Sequence, residues 1–247
     1  MKLELYFNLK NLEFPLDYRK IMISFIKKSL SEAKGGEYFD RFYKDTIAKS
    51  FSFSIVFNRP DFQKEKIILG KPQLKVLFSA VDQDKVALIM YAAFIAQKNK
   101  PFPLPNSNEM KLVAIHEKKI EKIITNRVIF QTAMGSGLCI RDHDRVQNTD
   151  NYYVHNDDLF LEKLKMVLIN QAVRAGLGEN KAENLKCKPL NCKIVPVKHY
   201  NRFIPVSTGL FQFEAEADLL QYFYDAGMGS RHSAGFGLLE LIAQDLF

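Results

Sequence analysis

The residues best suited to chemistry lie near the carboxyl end, in the stretch Asp225–Glu240 (DAGMGSRHSAGFGLLE). It contains Gly227, Gly229, Gly235 and Gly237, and the residues between the two glycine pairs are cationic or form hydrogen bonds, namely Ser230, Arg231, His232 and Ser233. Glycine permits positive φ and a close backbone approach. Successive free N–H groups in such a loop bind anions, and a guanidinium offers planar donors that match a phosphate. The stretch therefore predicts a phosphate-binding loop.

Other kinds of structure could also explain such a glycine-rich loop. A Walker-type nucleotide loop ends in Gly-Lys-Ser or Gly-Lys-Thr, whereas Leu238 follows the last glycine here. A dinucleotide fingerprint follows a strand and opens a helix. Here a helical pattern over Glu216–Tyr224 precedes the loop and an apolar run over Phe236–Ile242 follows it, so the order is reversed. A tight turn whose glycines only relieve steric crowding stays open as an explanation.

The composition favours a globular protein with an anionic partner. The 247 residues include 35 Lys and Arg against 28 Asp and Glu, a net charge of +7 that suits a polyanion such as nucleic acid. The 3 cysteines lack the paired spacing of zinc sites, which favours a reducing compartment. No apolar stretch has membrane-spanning length. We therefore expect a cytoplasmic protein with no metal, no cofactor and no membrane contact.

The elements of the first half follow a recognisable order. Periodicity predicts strands at Lys2–Leu9, Phe51–Phe57, Leu74–Ala80 and Met110–His116, and helices at Tyr18–Ala33 and Asp82–Gln97. A shorter helix is expected at about Tyr38–Tyr43. The order strand–helix–strand–strand–helix–strand is that of a ferredoxin-like unit. The sheet of this unit binds single-stranded RNA in common RNA-binding modules.

Segments of this chain resemble those of one known family. Residues 227–237 (GMGSRHSAGFG) closely resemble the carboxy-terminal glycine-rich signature of the CRISPR-associated repeat endoribonucleases, family six of the Cas proteins, within the repeat-associated RNA-binding superfamily. Lys49–Ser54 resembles that family's Lys-x-Phe-Thr-Phe-Ser strand. Phe130–Arg141 resembles its central Phe-x-Thr-x-Ser-Pro-Ile segment, with Gly135-Ser136-Gly137 in place of Ser-Pro. The resemblance therefore covers essentially the whole chain.

The resemblance implies an α+β protein with two tandem ferredoxin-like (RRM-like) domains. Patterns in the second half echo those of the first, with strands at Arg127–Thr132, Cys192–Tyr200, Phe203–Glu214 and Phe236–Ile242, and helices at Asn156–Ala175 and Glu216–Tyr224. A polar loop is expected after Arg141. We predict one domain at residues 1–120 and a second at 121–247, with the glycine-rich loop at 227–237.

The resemblance also implies an activity, which is metal-independent cleavage of CRISPR repeat RNA in the precursor transcript to give guide RNAs. In this reaction the RNA's own 2′-hydroxyl attacks the adjacent phosphate, leaving a 2′,3′-cyclic phosphate and a 5′-hydroxyl. The protein must supply a base, a cation for the phosphorane and an acid. The partner would be CRISPR repeat RNA, bound by a monomer or a homodimer, and a CRISPR effector complex is a further candidate partner.

The family's catalytic positions carry over to this chain with substitutions. Lys49 matches the active-site lysine, Tyr43 stands where the family often has a histidine, and Lys27 falls near its helix-one tyrosine. We expect these residues and Tyr38 to face the scissile phosphate. A tyrosine with an ordinary pKa near 10 is a poor base at neutral pH. The customary general base is therefore absent.

Other residues are candidates for the missing base and for RNA contacts. His232 is the best substitute base, and His143 in the charged turn Arg141–Arg145 is the second. For each histidine a structural role is the alternative. The expected RNA contacts are Gly227, Gly229, Ser230, Arg231, His232, Ser233, Gly235, Gly237, Arg141 and His143.

The sequence leaves two other functions open. One is an RNA-binding relative that has lost its base and binds CRISPR RNA with weak or no cleavage. The other is a small-molecule phosphate enzyme on the same fold, for which the chain has no nucleotide motif.

Overall fold

The structure, a computed structural model, describes residues 1–44, 48–200 and 202–244. Its amino-terminal elements are β1 (Lys2–Leu9), β2 (Glu13–Pro15), α1 (Tyr18–Glu32), α2 (Glu37–Tyr43), β3 (Phe51–Phe57), β4 (Asp61–Phe62), β5 (Lys66–Ile68), β6 (Gln73–Ala80), α3 (Val86–Gln97), β7 (Pro101–Pro103) and β8 (Glu109–Lys118). The elements that follow are β9 (Arg127–Thr132), β10 (Ile140–Asp144), β11 (Thr149–Tyr153), α4 (Phe160–Arg174), α5 (Asn180–Glu183), β12 (Lys186–His199), β13 (Arg202–Glu214), α6 (Ala217–Ala226) and β14 (Leu239–Gln244).

The amino-terminal sheet has the order β3–β6–β1–β8–β7, with each described pair antiparallel. Taken without the short β7, this is the strand order of a ferredoxin-like unit in which α1 and α3 are the two crossover helices. Helix α1 buries Met22, Phe25, Ile26 and Leu30, which recur at helical spacing. Phe25 and Phe94 of α3 have ring centroids 6.3 Å apart, and Phe94 meets Phe78 of the sheet edge-on at 5.0 Å. Aromatic packing thus joins the helices to the sheet.

The carboxy-terminal sheet repeats this arrangement. Its order is β12–β13–β9–β14, with α4 between β9 and β12 and α6 between β13 and β14. The fold is therefore α+β with two tandem ferredoxin-like domains, as predicted. The two sheets are formed by residues 2–118 and 127–244. The division at residues 120 and 121 stays a prediction.

One predicted loop is a hairpin. The stretch after Arg141, expected to be a polar loop, forms β10 and β11, which pair with each other and join neither large sheet. Polar cross-strand partners stabilise it, since His143 lies opposite Asp150. The Asp144 carboxylate closes the turn by accepting hydrogen bonds from the N–H groups of Val146 and Gln147 (2.8 and 3.0 Å). A strand pattern was not visible because these strands carry almost no apolar alternation.

Two predicted helices begin later than expected. Helix α3 begins at Val86 instead of Asp82, because Asp84 and Lys85 have φ of 53° and 60° in the turn before it. Helix α4 begins at Phe160 instead of Asn156. Among the described residues, no helix is long and apolar enough to cross a lipid bilayer.

Candidate active site and nucleic-acid interface

Three of the predicted catalytic residues meet at one corner of the amino-terminal domain. Helix α1 presents Lys27, helix α2 ends at Tyr43, and Lys49 lies just before β3. The Nζ atoms of Lys27 and Lys49 each lie 4.8 Å from the centroid of the Tyr43 ring. The other side chains that orient this ring include Phe39, which stacks on it at 5.4 Å. A single aromatic ring therefore collects two ammonium groups, an arrangement stabilised by cation–π attraction.

The environment of this corner shifts the pKa values of two of these side chains. Burial raises the pKa of Tyr43 to about 12. Burial, followed by the charge of Lys27, lowers the pKa of Lys49. Tyr43 is therefore a still poorer base than an ordinary tyrosine. Lys49, by contrast, gives up and takes back a proton more readily than an ordinary lysine.

The fourth predicted catalytic residue is turned elsewhere. Tyr38 lies on α2, and its cation contact among the described residues is with Lys34, whose Nζ lies 5.7 Å from the ring centroid. The structure thus brings Lys27, Tyr43 and Lys49 together but does not bring Tyr38 to the same corner through any described contact.

The glycine-rich loop connects α6 to β14, as the sequence predicted, but its amides are mostly occupied. Six N–H groups of the loop donate to the protein's own acceptors, namely Met228 to the Gly237 carbonyl (2.8 Å), Gly229 to Gln171 Oε1 (3.0 Å), Ser230 to the Cys139 carbonyl (2.8 Å), Ala234 to the Arg231 carbonyl (2.8 Å), Gly235 to the His232 carbonyl (3.0 Å) and Gly237 to the Gly137 carbonyl (2.8 Å). The prediction that such amides form an open concavity for an anion is wrong at these positions, because each already has an acceptor.

Steric crowding explains the glycines better. A Cβ atom would lie 1.8 Å from the Met228 carbonyl at Gly237, 2.4 Å from Ser52 Cβ at Gly227 and 2.9 Å from the Phe53 ring at Gly235. Ser52 and Phe53 belong to β3, so the loop packs directly on the amino-terminal domain. Arg19 of α1 strengthens this contact by donating to the carbonyls of Gly235 (3.1 Å) and Gly135 (2.9 Å). The loop is therefore a close-packed joint between the domains.

His232 sits where the loop meets β3. Its Nδ1 lies 3.0 Å from the Phe51 carbonyl, so the neutral ring donates there. Burial lowers the pKa of His232; hydrogen bonds to the backbone of Phe51 and Ala226 oppose this shift, and the charge of Lys49 adds to it. His232 therefore lies close to Lys49 as a neutral imidazole whose orientation is set by a backbone carbonyl.

Arg231 is held by a network that the sequence did not suggest. Its Nη2 donates to Asp150 Oδ2 (2.9 Å) and to the Tyr152 hydroxyl (3.1 Å), and its Nη1 lies 3.2 Å from His199 Nε2. Burial, followed by the charges of Arg231 and Arg19, lowers the pKa of His199 to about 4, so this histidine is neutral and accepts from Arg231. The guanidinium is thus oriented by its neighbours on three sides.

Asp150 also binds Arg141 and His143, which were predicted as RNA contacts. Its Oδ1 accepts from Arg141 Nη1 (2.9 Å) and from His143 Nδ1 (2.8 Å). Burial alone would raise the pKa of Asp150, but the hydrogen bonds from His143 and Arg141 and the charge of Arg231 lower it to about 2. The only sequence signal for this residue was its place in the polar stretch that forms β11.

Lys49, the glycine loop and the hairpin residues Arg141 and His143 line one cleft between the domains. The cleft has a volume of about 400 Å³ and is bounded by the segment before β3, by β10, by α4 and by the glycine loop. Its basic side chains are Lys49, Arg141, Arg145, Arg174 and Arg231. Of the predicted RNA contacts, those that line it are Arg141, His143, Gly229, Ser230, Arg231, His232 and Ser233, whereas Gly227, Gly235 and Gly237 do not. A cleft with this excess of cations suits a phosphate chain.

Known proteins resemble this chain in sequence and in fold. A family model described as CRISPR associated protein Cas6, C-terminal, matches residues 115–241. No curated protein matches the sequence.

Three solved structures illustrate the likeness in fold. One, from the characterization of a Cas6-related gene from Pyrococcus furiosus, has a TM-score of 0.82 at 16% sequence identity, with 99% of both chains covered. A repeat-associated (RAMP) protein that binds different RNA substrates has a TM-score of 0.79 at 18% identity, with 98% of this chain and 100% of that chain covered. A Cas6 product complex has a TM-score of 0.69 at 14% identity, with 98% and 99% covered. At these identities the likeness establishes the fold.

Proposed function

Because the Cas6 model matches more than half of its residues, this chain belongs to the Cas6 family of CRISPR-associated proteins, and we propose that it cuts CRISPR repeat RNA to give guide RNAs. The cut would be made without a metal ion, by attack of the RNA's own 2′-hydroxyl. The observation that carries the proposal is the cluster of Lys27, Tyr43 and Lys49 beside the basic cleft.

The proposed reaction has one bond-forming and one bond-breaking event. The 2′-oxygen attacks the adjacent phosphorus while its proton passes to a base, and the bond from phosphorus to the 5′-oxygen breaks as that oxygen gains a proton. The products are a 2′,3′-cyclic phosphate and a 5′-hydroxyl. Two negative charges gather on the phosphorane oxygens, so nearby cations lower the barrier.

The residues of the corner would divide these tasks. Lys27 would supply a fixed positive charge beside the phosphorane. Lys49, whose pKa is lowered by burial and by Lys27, would supply charge and exchange a proton. Tyr43, with a pKa near 12, would act through its ring by holding the two lysines and not as the base. His232 would stay a second candidate for the base, since its ring is neutral and lies by Lys49.

The basic cleft would bind the phosphate chain on either side of the cut. Arg141, Arg145 and Arg174 line it together with Ser230 and Ser233 of the glycine loop. Charge-assisted hydrogen bonds from arginine to phosphate are among the stronger polar contacts. The cleft would therefore hold the strand while the corner acts on one phosphate.

The test is cleavage of the repeat RNA of the host's own CRISPR array in the presence of a chelator. We expect one cut per repeat, with a 5′-hydroxyl on the downstream fragment, and loss of cutting in Lys49→Ala. Cleavage that persists unchanged in Lys49→Ala would contradict the assignment of Lys49.

A second function is favoured by one specific observation, the tyrosine at position 43 in place of the family's histidine. A chain without an effective base would bind repeat RNA and not cut it. Capture of intact repeat RNA by the wild-type chain over long incubation would support this alternative. Participation of the chain in an effector complex, and its oligomeric state, stay predictions.

A further inference from the structure

The carboxylate of Asp150 lies at the centre of a cage of hydrogen-bond donors at the wall of the cleft. Arg141 and His143 donate to one oxygen at 2.9 and 2.8 Å, and Arg231 donates to the other at 2.9 Å. The Tyr152 hydroxyl lies 3.3 Å from this second oxygen. Both carboxylate oxygens are therefore bound by groups that would equally bind a phosphate.

These donors converge from separate elements. Arg141 and His143 come from β10, Tyr152 from β11 and Arg231 from the glycine loop after α6. Arg141, His143 and Arg231 all line the basic cleft, whereas Asp150 is set behind them and only 19% of its side chain is exposed. The cleft wall thus presents two guanidinium groups and an imidazole that share one anion, which is the arrangement of an anion-binding site.

A carboxylate and a phosphate make the same demands on these donors. Arginine binds either anion through parallel N–H groups, and charge-assisted bonds to each have similar length. An RNA phosphate that enters the cleft next to Arg141 and Arg231 therefore competes with Asp150 for the same N–H groups.

We propose that Asp150 occupies the phosphate-binding point of the cleft in the RNA-free chain, and that a backbone phosphate of the bound RNA takes over Arg141 and Arg231 from it. The proposal rests on the proposed function, since it needs the cleft to bind RNA. Asp150 is then a competing internal anion that keeps the two arginines ordered and lowers the affinity of the cleft for phosphate.

The hairpin that carries Asp150 is suited to such an exchange. Strands β10 and β11 pair only with each other among the described strands, so a shift of the hairpin breaks no ladder of either large sheet. His143, its partner at the outer end, is 36% exposed. Arg231, by contrast, keeps its contact with His199 of β12, which lies outside the hairpin, when Asp150 is released. The arginine can therefore remain in position while its anion changes.

Removal of the Asp150 charge should strengthen RNA binding, although it breaks ion pairs within the protein. Asp150→Asn keeps the shape and an acceptor oxygen but removes the competing charge. We expect it to bind repeat RNA about three- to tenfold more tightly than the wild type, because one negative charge close to the phosphate path is lost. The salt dependence of binding should steepen by roughly 0.7 in log–log slope, the increment for one further counterion released from a single strand. If Asp150 were only a structural ion-pair partner, its loss would disorder the arginines and weaken binding.

The measurement uses fluorescence anisotropy of labelled repeat RNA with a 2′-deoxy substitution at the cleavage position, in chelator and at several salt concentrations. Asp61→Asn is the matched control, because it makes the same change of charge on β4, beyond the far end of β3 from Lys49. We expect that control to bind as the wild type does. Tighter and more salt-sensitive binding in Asp150→Asn alone would support the proposal, and weaker or unchanged binding would overturn it. Failure of the wild type itself to bind RNA would instead contradict the proposed function.

A second measurement covers the case in which Asp150→Asn does not fold, which its melting curve would reveal. A structure of the wild-type chain with the same 2′-deoxy RNA should show phosphate oxygens within hydrogen-bond distance of Arg141 and Arg231, with the contacts of Asp150 to both broken. RNA bound in the cleft with the cage of Asp150 intact would overturn the proposal while leaving the proposed function in place.

Discussion

Two cationic clusters each contribute to the lining of one cleft, Lys49 from the first and Arg141 and Arg231 from the second, and different partners hold each cluster together. In the amino-terminal domain, Lys27 and Lys49 share the neutral ring of Tyr43. In the carboxy-terminal domain, Arg141 and Arg231 share the carboxylate of Asp150. An aromatic ring attracts cations without cancelling their charge, whereas a carboxylate cancels one full charge.

This difference indicates a division of labour. Charge left uncancelled is useful where a reaction develops negative charge, because the cations then stabilise the phosphorane more than the ground state. Charge balanced by a carboxylate is useful where the protein must keep arginines in fixed positions until a phosphate arrives. The corner around Tyr43 is therefore the better place for chemistry, and the cage around Asp150 the better place for binding.

The largest expected effect comes from a substitution that displaces the glycine loop, and with it the Arg231 side of the Asp150 cage. In Gly237→Ala the new Cβ would lie 1.8 Å from the Met228 carbonyl, at a φ of +65°, so the loop that carries Arg231 has to move. We expect a loss of more than about 3 kcal/mol in the free energy of unfolding, measured by urea denaturation. Gly176→Ala is the control, since its φ is +74° but no atom lies within 4 Å, and it should cost about 1 kcal/mol. Equal losses in the two variants would show that crowding does not explain Gly237.

The next effect concerns the corner. Lys49→Ala should lower the single-turnover cleavage rate by about a hundredfold or more, as loss of one group that stabilises the transition state does. Its affinity for 2′-deoxy repeat RNA should fall much less, because the cleft keeps its arginines. Lys98→Ala, which removes an exposed lysine at the end of α3, is the control and should leave both quantities unchanged. An equal fall in cleavage rate and in RNA affinity would show that Lys49 binds RNA and does not take part in the chemical step.

A smaller effect distinguishes the role of the Tyr43 ring from the role of its hydroxyl. Tyr43→Phe keeps the cation–π platform and should cleave within about twofold of the wild type, whereas Tyr43→Leu loses it and should cleave about tenfold more slowly. The pH–rate profiles of the wild type and Tyr43→Phe should coincide, because a hydroxyl with a pKa near 12 does not titrate in the working range. A large loss of rate in Tyr43→Phe would identify the hydroxyl as a participant.

The smallest effect is the acid sensitivity of the Asp150 cage. The pKa of Asp150 in the folded chain is about 2 against an ordinary value of 3.8, so its stabilising contribution is complete above 3.8 and is lost as the pH falls toward 2. The difference in urea midpoint between the wild type and Asp150→Asn should therefore shrink across that window. A difference that grows on acidification would contradict the depressed pKa.

Much of the fold was predictable because it depends on local periodicity. The alternation in β1 and β3 and the helical spacing of Met22, Phe25, Ile26 and Leu30 are visible in the sequence, and the order of elements then gives the ferredoxin-like topology. The β10–β11 hairpin was missed because polar cross-strand pairs hold it, and such pairs leave no apolar pattern.

The site residues were predictable only where the family resemblance assigned them by their position in the chain. Lys27, Tyr43 and Lys49 do meet, and the resemblance had grouped them. The role of the glycines was not predictable, since the same spacing serves an open anion loop and a packed joint, and only the closeness of Ser52 and Phe53 decides between them. Asp150 was missed because its partners lie on β10 (Arg141 and His143) and on the distant glycine loop (Arg231), which only the tertiary fold brings together.

Metal-independent cleavage is tested most simply by an assay of repeat RNA with the purified wild-type chain in excess chelator, followed by analysis of the fragment ends. We expect one cut per repeat, a cyclic phosphate on the upstream fragment and a 5′-hydroxyl on the downstream one, with no cut when the nucleotide at that position is 2′-deoxy. A folded chain that binds the repeat but leaves it intact, or that cuts only when a divalent metal is restored, would contradict this expectation.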